Sequence, residues 1–162
     1  MDERAEPYVL PAGHTRRDDA LLPILATSTD TGGLLTVCAF TLGPWDSGPV
    51  LHSHRSTDEA LFVVSGTLLA QLGGSRSEVA AGGFVWMPRG VPHAFANAGA
   101  DLVHVVALAV PGGLDDMFAE QAAYLASLQG PPDPAVMEEI GLRHQGPTLG
   151  PPIRADGAPP VP

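Results

Sequence analysis

From Leu21 to Val110 the chain is a procession of short apolar or alternating runs: "LLPILATS", "GLLTVCAFTL", "VLHSH", "EALFVVSG", "TLLAQLGG", "SEVAAGG", "FVWMPRG", "PHAFANAG" and "LVHVVALAV". Gly, Pro, Asn and Ser separate them at intervals of roughly ten residues, the rhythm of an all-β sandwich or barrel. Several runs are continuously apolar, which predicts strands covered on both faces, as where two sheets pack together. The period changes after "VPGG". In "LDDMFAEQAAYLASLQG" the residues Leu114, Met117, Phe118, Tyr124, Leu125 and Leu128 recur at helical spacing, with Gln121 interrupting the stripe. Asp115 and Asp116 fall in the first turn, where carboxylates favour the helix dipole. "DPAVMEEIGLRH" predicts a second helix, with Asp133 as N-cap and Pro134 at the first helical position.

These patterns divide the chain into four parts. Residues 1–20 are an arm with a short edge strand, 21–112 the β-domain, 113–145 two short helices, and 146–162 a Pro/Gly-rich tail whose end is expected to be disordered.

Composition narrows the function classes. The formal net charge is −10, with eight arginines and no lysine. Such a chain lacks the basic footprint of a nucleic-acid binder and is repelled by anionic membranes. "LVHVVALAV" is too short to span a bilayer, and "MDERAEPYVL" has no signal-peptide pattern, so the expected location is the cytoplasm. The single cysteine, Cys38, sits in apolar "LLTVCAFTL" and reads as a buried thiol.

The candidate chemistry lies in "LHSHRSTDEALFVVSG". His52 and His54 are two residues apart, so on a strand both imidazoles share a face and can reach one ion. Glu59 follows a short polar turn and shares a face with Leu61 and Val63, with its strand expected to run back beside the histidines. A buried, ionised glutamate needs compensation, and a metal ion is one form of it that also explains why histidines and a carboxylate converge. A second stretch, "GGFVWMPRGVPHAFANAG", places His93 after a tight bend, able to meet the same interior.

The two stretches together resemble the cupins. The first cupin motif is matched by His52, His54, Glu59 and Gly66, and the second, G-x5-P-x-G-x2-H-x3-N, by Gly82, Pro88, Gly90, His93 and Asn97. One departure is Asp46, where the family usually carries glycine; Gly43 and Gly48 flank it, so an altered loop is expected. The flanks look like those of small bacterial quercetin-2,3-dioxygenase-like cupins.

The resemblance implies an all-β cupin-type jelly roll holding one divalent transition metal ion (Ni, Mn, Fe, Co, Cu or Zn) on His52, His54, Glu59 and His93. Such an N3O set can leave positions for substrate. It also implies a dioxygenase acting on a small enolic or flavonol-like molecule, with O2 as co-substrate, Glu59 as proton acceptor and a homodimeric assembly. A metal-dependent isomerase, cyclase or decarboxylase is the alternative, as is a small-ligand-binding module. Trp45, Phe84, Trp86 and Phe95 are candidate pocket walls or core, His104 a pocket wall, second-layer donor or core residue, and Arg89 an exposed side chain.

Overall fold

The structure is a computed structural model and describes residues 6–144 and 146–160. Ten strands and two helices follow in order: β1 (Ile24–Ala26), β2 (Thr36–Leu42), β3 (Val50–His52), β4 (Asp58–Ser65), β5 (Thr67–Leu72), β6 (Ser75–Ala80), β7 (Phe84–Met87), β8 (His93–Asn97), β9 (Val103–Val110), α1 (Leu114–Ala126), α2 (Pro134–His144) and β10 (Thr148–Pro152). They build two five-stranded antiparallel sheets: sheet A in the order β1-β2-β9-β4-β7, and sheet B in the order β10-β3-β8-β5-β6. This is the double-stranded β-helix of the expected all-β class.

Side-chain alternation explains the packing. Leu61 and Val63 of β4, Val85 and Met87 of β7, and Val103, Val105 and Ala107 of β9 point inward. They meet Leu68, Ala70 and Phe95 of sheet B in one shared core. Gly66 ends β4 in a left-handed conformation (φ 79°), and a Cβ there would lie 2.5 Å from the Leu102 carbonyl oxygen. Only glycine fits so close an approach at that φ. Asp46 accepts the Gly43 amide at 2.6 Å, which closes the loop whose glycine is replaced. Asn97 is buried and donates to the carbonyls of Gly43 and Asp101, tying two loops together.

Three local expectations need correction. The edge strand lies at Ile24–Ala26; among described residues before it, only Arg17 makes a β-bridge. Residues 1–5 lie outside the described part. The Pro/Gly-rich tail contributes β10, paired with β3, and buries Ile153 against Leu69, Ala94 and Ala96 on the outside of sheet B. Two prolines and irregular register hide this strand from any alternation rule. The strands of sheet A are not covered on both faces: Phe62, Val64, Phe84 and Trp86 are exposed.

The helices close one end of the sandwich. Leu114 and Met117 of α1 pack on Ala109 and on Ile140 of α2. Asp115 does more than face a helix dipole. It is buried and accepts hydrogen bonds from Thr36 Oγ1 at 2.6 Å and from the Ser28 amide and hydroxyl at 3.2 Å. Asp133 caps α2 through the Ala135 amide at 2.8 Å. Among the described residues no helix is long and apolar enough to cross a membrane.

Candidate metal centre

β3 delivers His52, and His54 follows two residues later, just past the strand. His93 opens β8 and is the residue paired with His52 across the ladder. Glu59 does not return beside the histidines, as the short turn had implied. The turn carries the chain across the sandwich, so Glu59 reaches the centre from sheet A, while the His52 and His93 strands belong to sheet B. Strand β4 pairs with β7 and β9 instead. The two sheets thus face each other through these side chains.

One donor atom from each of His52, His54, Glu59 and His93 lies within 4.8 Å of the others. The imidazole centroids are 4.5 Å apart for His52 and His93, and 5.0 Å for each remaining pair. All four residues are buried, His54 at 1% exposure and His93 at 0%. His52 Nδ1 donates to the Val50 carbonyl at 2.8 Å and His93 Nδ1 to the Val91 carbonyl at 2.9 Å. With the proton held on Nδ1, each ring keeps its Nε2 lone pair for another partner, the usual arrangement behind a metal-binding histidine. Glu59 Oε2 accepts from His54 Nε2 at 3.0 Å and stands 3.3 Å from His93 Nε2.

Two buried nitrogens, His54 Nδ1 and His93 Nε2, have no hydrogen-bond partner. Orphaned buried polar atoms are costly, of order 1–3 kcal/mol each. Three imidazoles, one carboxylate and unsatisfied nitrogens at a single point fit a borderline divalent ion. Titration tells the same story. Burial, with His93 beside it, pushes His52 down to about 4, so its ring is neutral at pH 7. Burial opposes ionisation of Glu59, but the His54 hydrogen bond and the His93 ring beside it outweigh that and hold the carboxyl at about 2. His52 therefore offers a neutral ring and Glu59 a carboxylate, the forms in which these groups bind a metal.

A cavity of about 10 Å³ touches Glu59, bounded by Thr36, Cys38, Ala107, Leu114 and Phe118. It has room for about one water. Cys38 is one of its walls, and burial with the charges of Glu59 and Asp115 raises its thiol to about 12. It is an inert lining group, as its apolar run had implied. A larger groove, about 450 Å³, includes Leu22, Phe40, Val64 and His104 among its walls and no donor of the centre. His104 bonds Thr41 there at 2.8 Å and is exposed, which removes it from the metal surroundings.

Of the aromatic candidates, Phe95 is core and stacks on Phe40 at 5.3 Å, whereas Phe84 and Trp86 point outward from the edge strand. Arg89 is exposed but not idle. Its Nε and Nη2 donate to the two carboxylate oxygens of Asp58 at 3.0 and 2.7 Å, which pulls Asp58 down to about 2. No spacing in the sequence signals this pair: Asp58 opens β4, Arg89 lies 31 positions on in the bend after β7, and only the pairing of those two strands brings them together.

Residues 39–110 match the cupin domain model, a span that contains all four donors. The chain carries a cupin domain. Quercetin 2,3-dioxygenase of Bacillus subtilis (strain 168) is 30% identical over 92 residues, which is 55% of this chain. The match spans only 27% of that enzyme's length. A Bacillus halodurans protein of known crystal structure aligns with a TM-score of 0.54 at 25% identity, covering 69% of this chain and 86% of that one. A double-stranded β-helix protein of Klebsiella pneumoniae aligns at 0.51 with 20% identity over 65% of this chain and 80% of its own. A Thermotoga maritima protein described as a predicted oxalate decarboxylase aligns at 0.52 with 17% identity over 56% and 78%. The buried His/Glu cluster is of the cupin metal-site type and supports one bound metal ion.

Proposed function

We propose that this cupin is a metal-dependent enzyme of the dioxygenase kind, acting on a small organic molecule with an enolic or phenolic oxygen. His52, His54, His93 and Glu59 hold one divalent transition metal ion. The observation that carries this reading is the convergence of four buried donors with two nitrogens left unpaired. The ion would supply Lewis-acid polarisation of a substrate oxygen. Glu59 is the proton acceptor. At about 2 it is ionised at neutral pH and a weak base, because the His54 hydrogen bond and the His93 ring beside it favour its charged form. A loose bond between Glu59 and the ion would leave a carboxylate oxygen free to take the proton. Ala107, Leu114 and Phe118 keep bulk water from the carboxylate.

The test is metal analysis of protein purified without added metal, followed by oxygen consumption on flavonols and β-diketones. We expect turnover that a chelator and His52→Ala both abolish. Absence of turnover across the panel in metal-loaded protein rules out the dioxygenase reading.

A second reading keeps the metal and drops the oxygen: an isomerase, cyclase or decarboxylase of a small metabolite, using the same Lewis-acid polarisation. Turnover under anaerobic conditions separates the two.

We further infer a homodimer that covers the outward row Phe62, Val64, Phe84 and Trp86. Register sets Phe84 beside Phe62 and Trp86 beside Ala60, so the row is continuous. On a chain of net charge −10, an uncharged sheet face is where two copies repel each other least. Three half-exposed aromatic rings and their neighbours present roughly 400 Å² of apolar surface, of the order of half a partner's share in a standard interface.

A further inference from the structure

The bend between β7 and β8, residues 88–91, touches the supports of three donors at once. The Gly90 amide donates to the His54 carbonyl at 2.7 Å. The Val91 carbonyl accepts from His93 Nδ1 at 2.9 Å. Arg89 holds Asp58, the residue before Glu59, through its amide at 2.8 Å and through both arms of its guanidinium. Gly90 makes the bend possible with a φ of 79°. His54 and His93 belong with sheet B and Glu59 with sheet A, so this bend joins the two halves of the centre.

Resting on the metal reading above, we propose that the Asp58–Arg89 pair is a positioning element of the metal centre. It fixes where Glu59 stands relative to His54 and His93. A bidentate guanidinium–carboxylate fork constrains angle as well as distance, and a third bond from the Arg89 amide ties the same carboxylate to the bend backbone. Asp58 and Glu59 are adjacent, about 3.8 Å apart at Cα, so a shift of one moves the other. An exposed ion pair contributes little to folding stability, typically under about 1 kcal/mol. Its effect belongs in the geometry of the donors. Groups that orient metal ligands from outside the coordination shell commonly change affinity about 10- to 100-fold.

The experiment measures Co2+ affinity by chelator competition, together with the visible absorption of the cobalt protein and the melting temperature of the metal-free protein. Arg89→Ala and Asp58→Asn are each expected to weaken Co2+ binding about tenfold and to alter the cobalt spectrum. The double variant should lose no more than either single change, since both remove one device. Arg89→Lys, which keeps the charge and loses the fork, should fall between wild type and Arg89→Ala. Arg76→Ala, on β6 beside Gln71, should bind as wild type does. Variants with wild-type affinity and spectrum overturn the proposal, as do losses that add in the double variant or an equal loss in Arg76→Ala. If wild type itself takes up no Co2+, the metal reading falls and this inference with it; if wild type binds and the variants match it, this inference alone falls.

Discussion

The two sheets of this chain are written in similar letters and solve the burial of their outer faces differently. On sheet B the outward Leu69, Ala94 and Ala96 lie under Ile153, brought there by the C-terminal tail. On sheet A the outward Phe62, Val64, Phe84 and Trp86 stay exposed. Their inner faces also differ. Sheet B and the segment after β3 bring three imidazoles to the centre, and sheet A brings one carboxylate. An apolar outward residue therefore has no fixed meaning: it is core where the chain's own tail arrives, and surface where nothing does.

The largest effect should come from the inner faces. Removing a donor from either side, Glu59→Gln from sheet A or His93→Ala from sheet B, should cut metal affinity by more than about 100-fold, beyond what outer supports achieve. Isothermal titration with Co2+ or Zn2+ checks this. Unchanged affinity in either variant breaks the claim that the two sheets share one centre.

Acid should act next, on the metal-free protein. His52 is held near 4 by burial and its neighbour His93, while an unfolded histidine titrates near 6.5. Between these values the unfolded chain binds more protons, so stability is complete above pH 6.5 and falls as pH drops toward 4. The loss is about 3 kcal/mol by linkage. Urea midpoints at pH 7 and pH 4.5 measure it; equal midpoints would contradict a buried neutral His52. Glu59, held low, contributes in the same direction at lower pH, as the carboxylate is lost toward 2.

The outer faces give the smaller effects and the sharpest contrast. Ile153→Ala should cost about 2–3 kcal/mol, because a buried side chain is removed from beneath the tail. Phe84→Ser on sheet A should change monomer stability by no more than about 0.5 kcal/mol, while shifting light-scattering mass from dimer to monomer. A Phe84→Ser loss as large as that of Ile153→Ala would erase the distinction between the sheets.

Much of the centre was legible in the letters. A histidine pair at spacing two, a glutamate five residues on, and a third histidine after a proline–glycine bend name donors whose chemistry does not depend on context. The path between them was not legible. The segment from Arg55 to Thr57 has the length of a hairpin turn, yet it crosses between sheets, because β4 finds its partners in β7 and β9. Likewise Arg89 and Asp58 are two ordinary charged residues until strand pairing sets them side by side.

What the amino-acid order determined by itself is local: the shared face of Glu59, Leu61 and Val63 in β4, glycines where φ is positive, the capped start of α2, and the four donor side chains. These follow from sterics, periodicity and side-chain chemistry within a few residues. Tertiary structure alone decided which sheet presents Glu59, that a Pro-rich tail becomes β10, and which outward face stays bare. Those outcomes depend on pairings between segments far apart in the chain, and no neighbouring residue carries their energy.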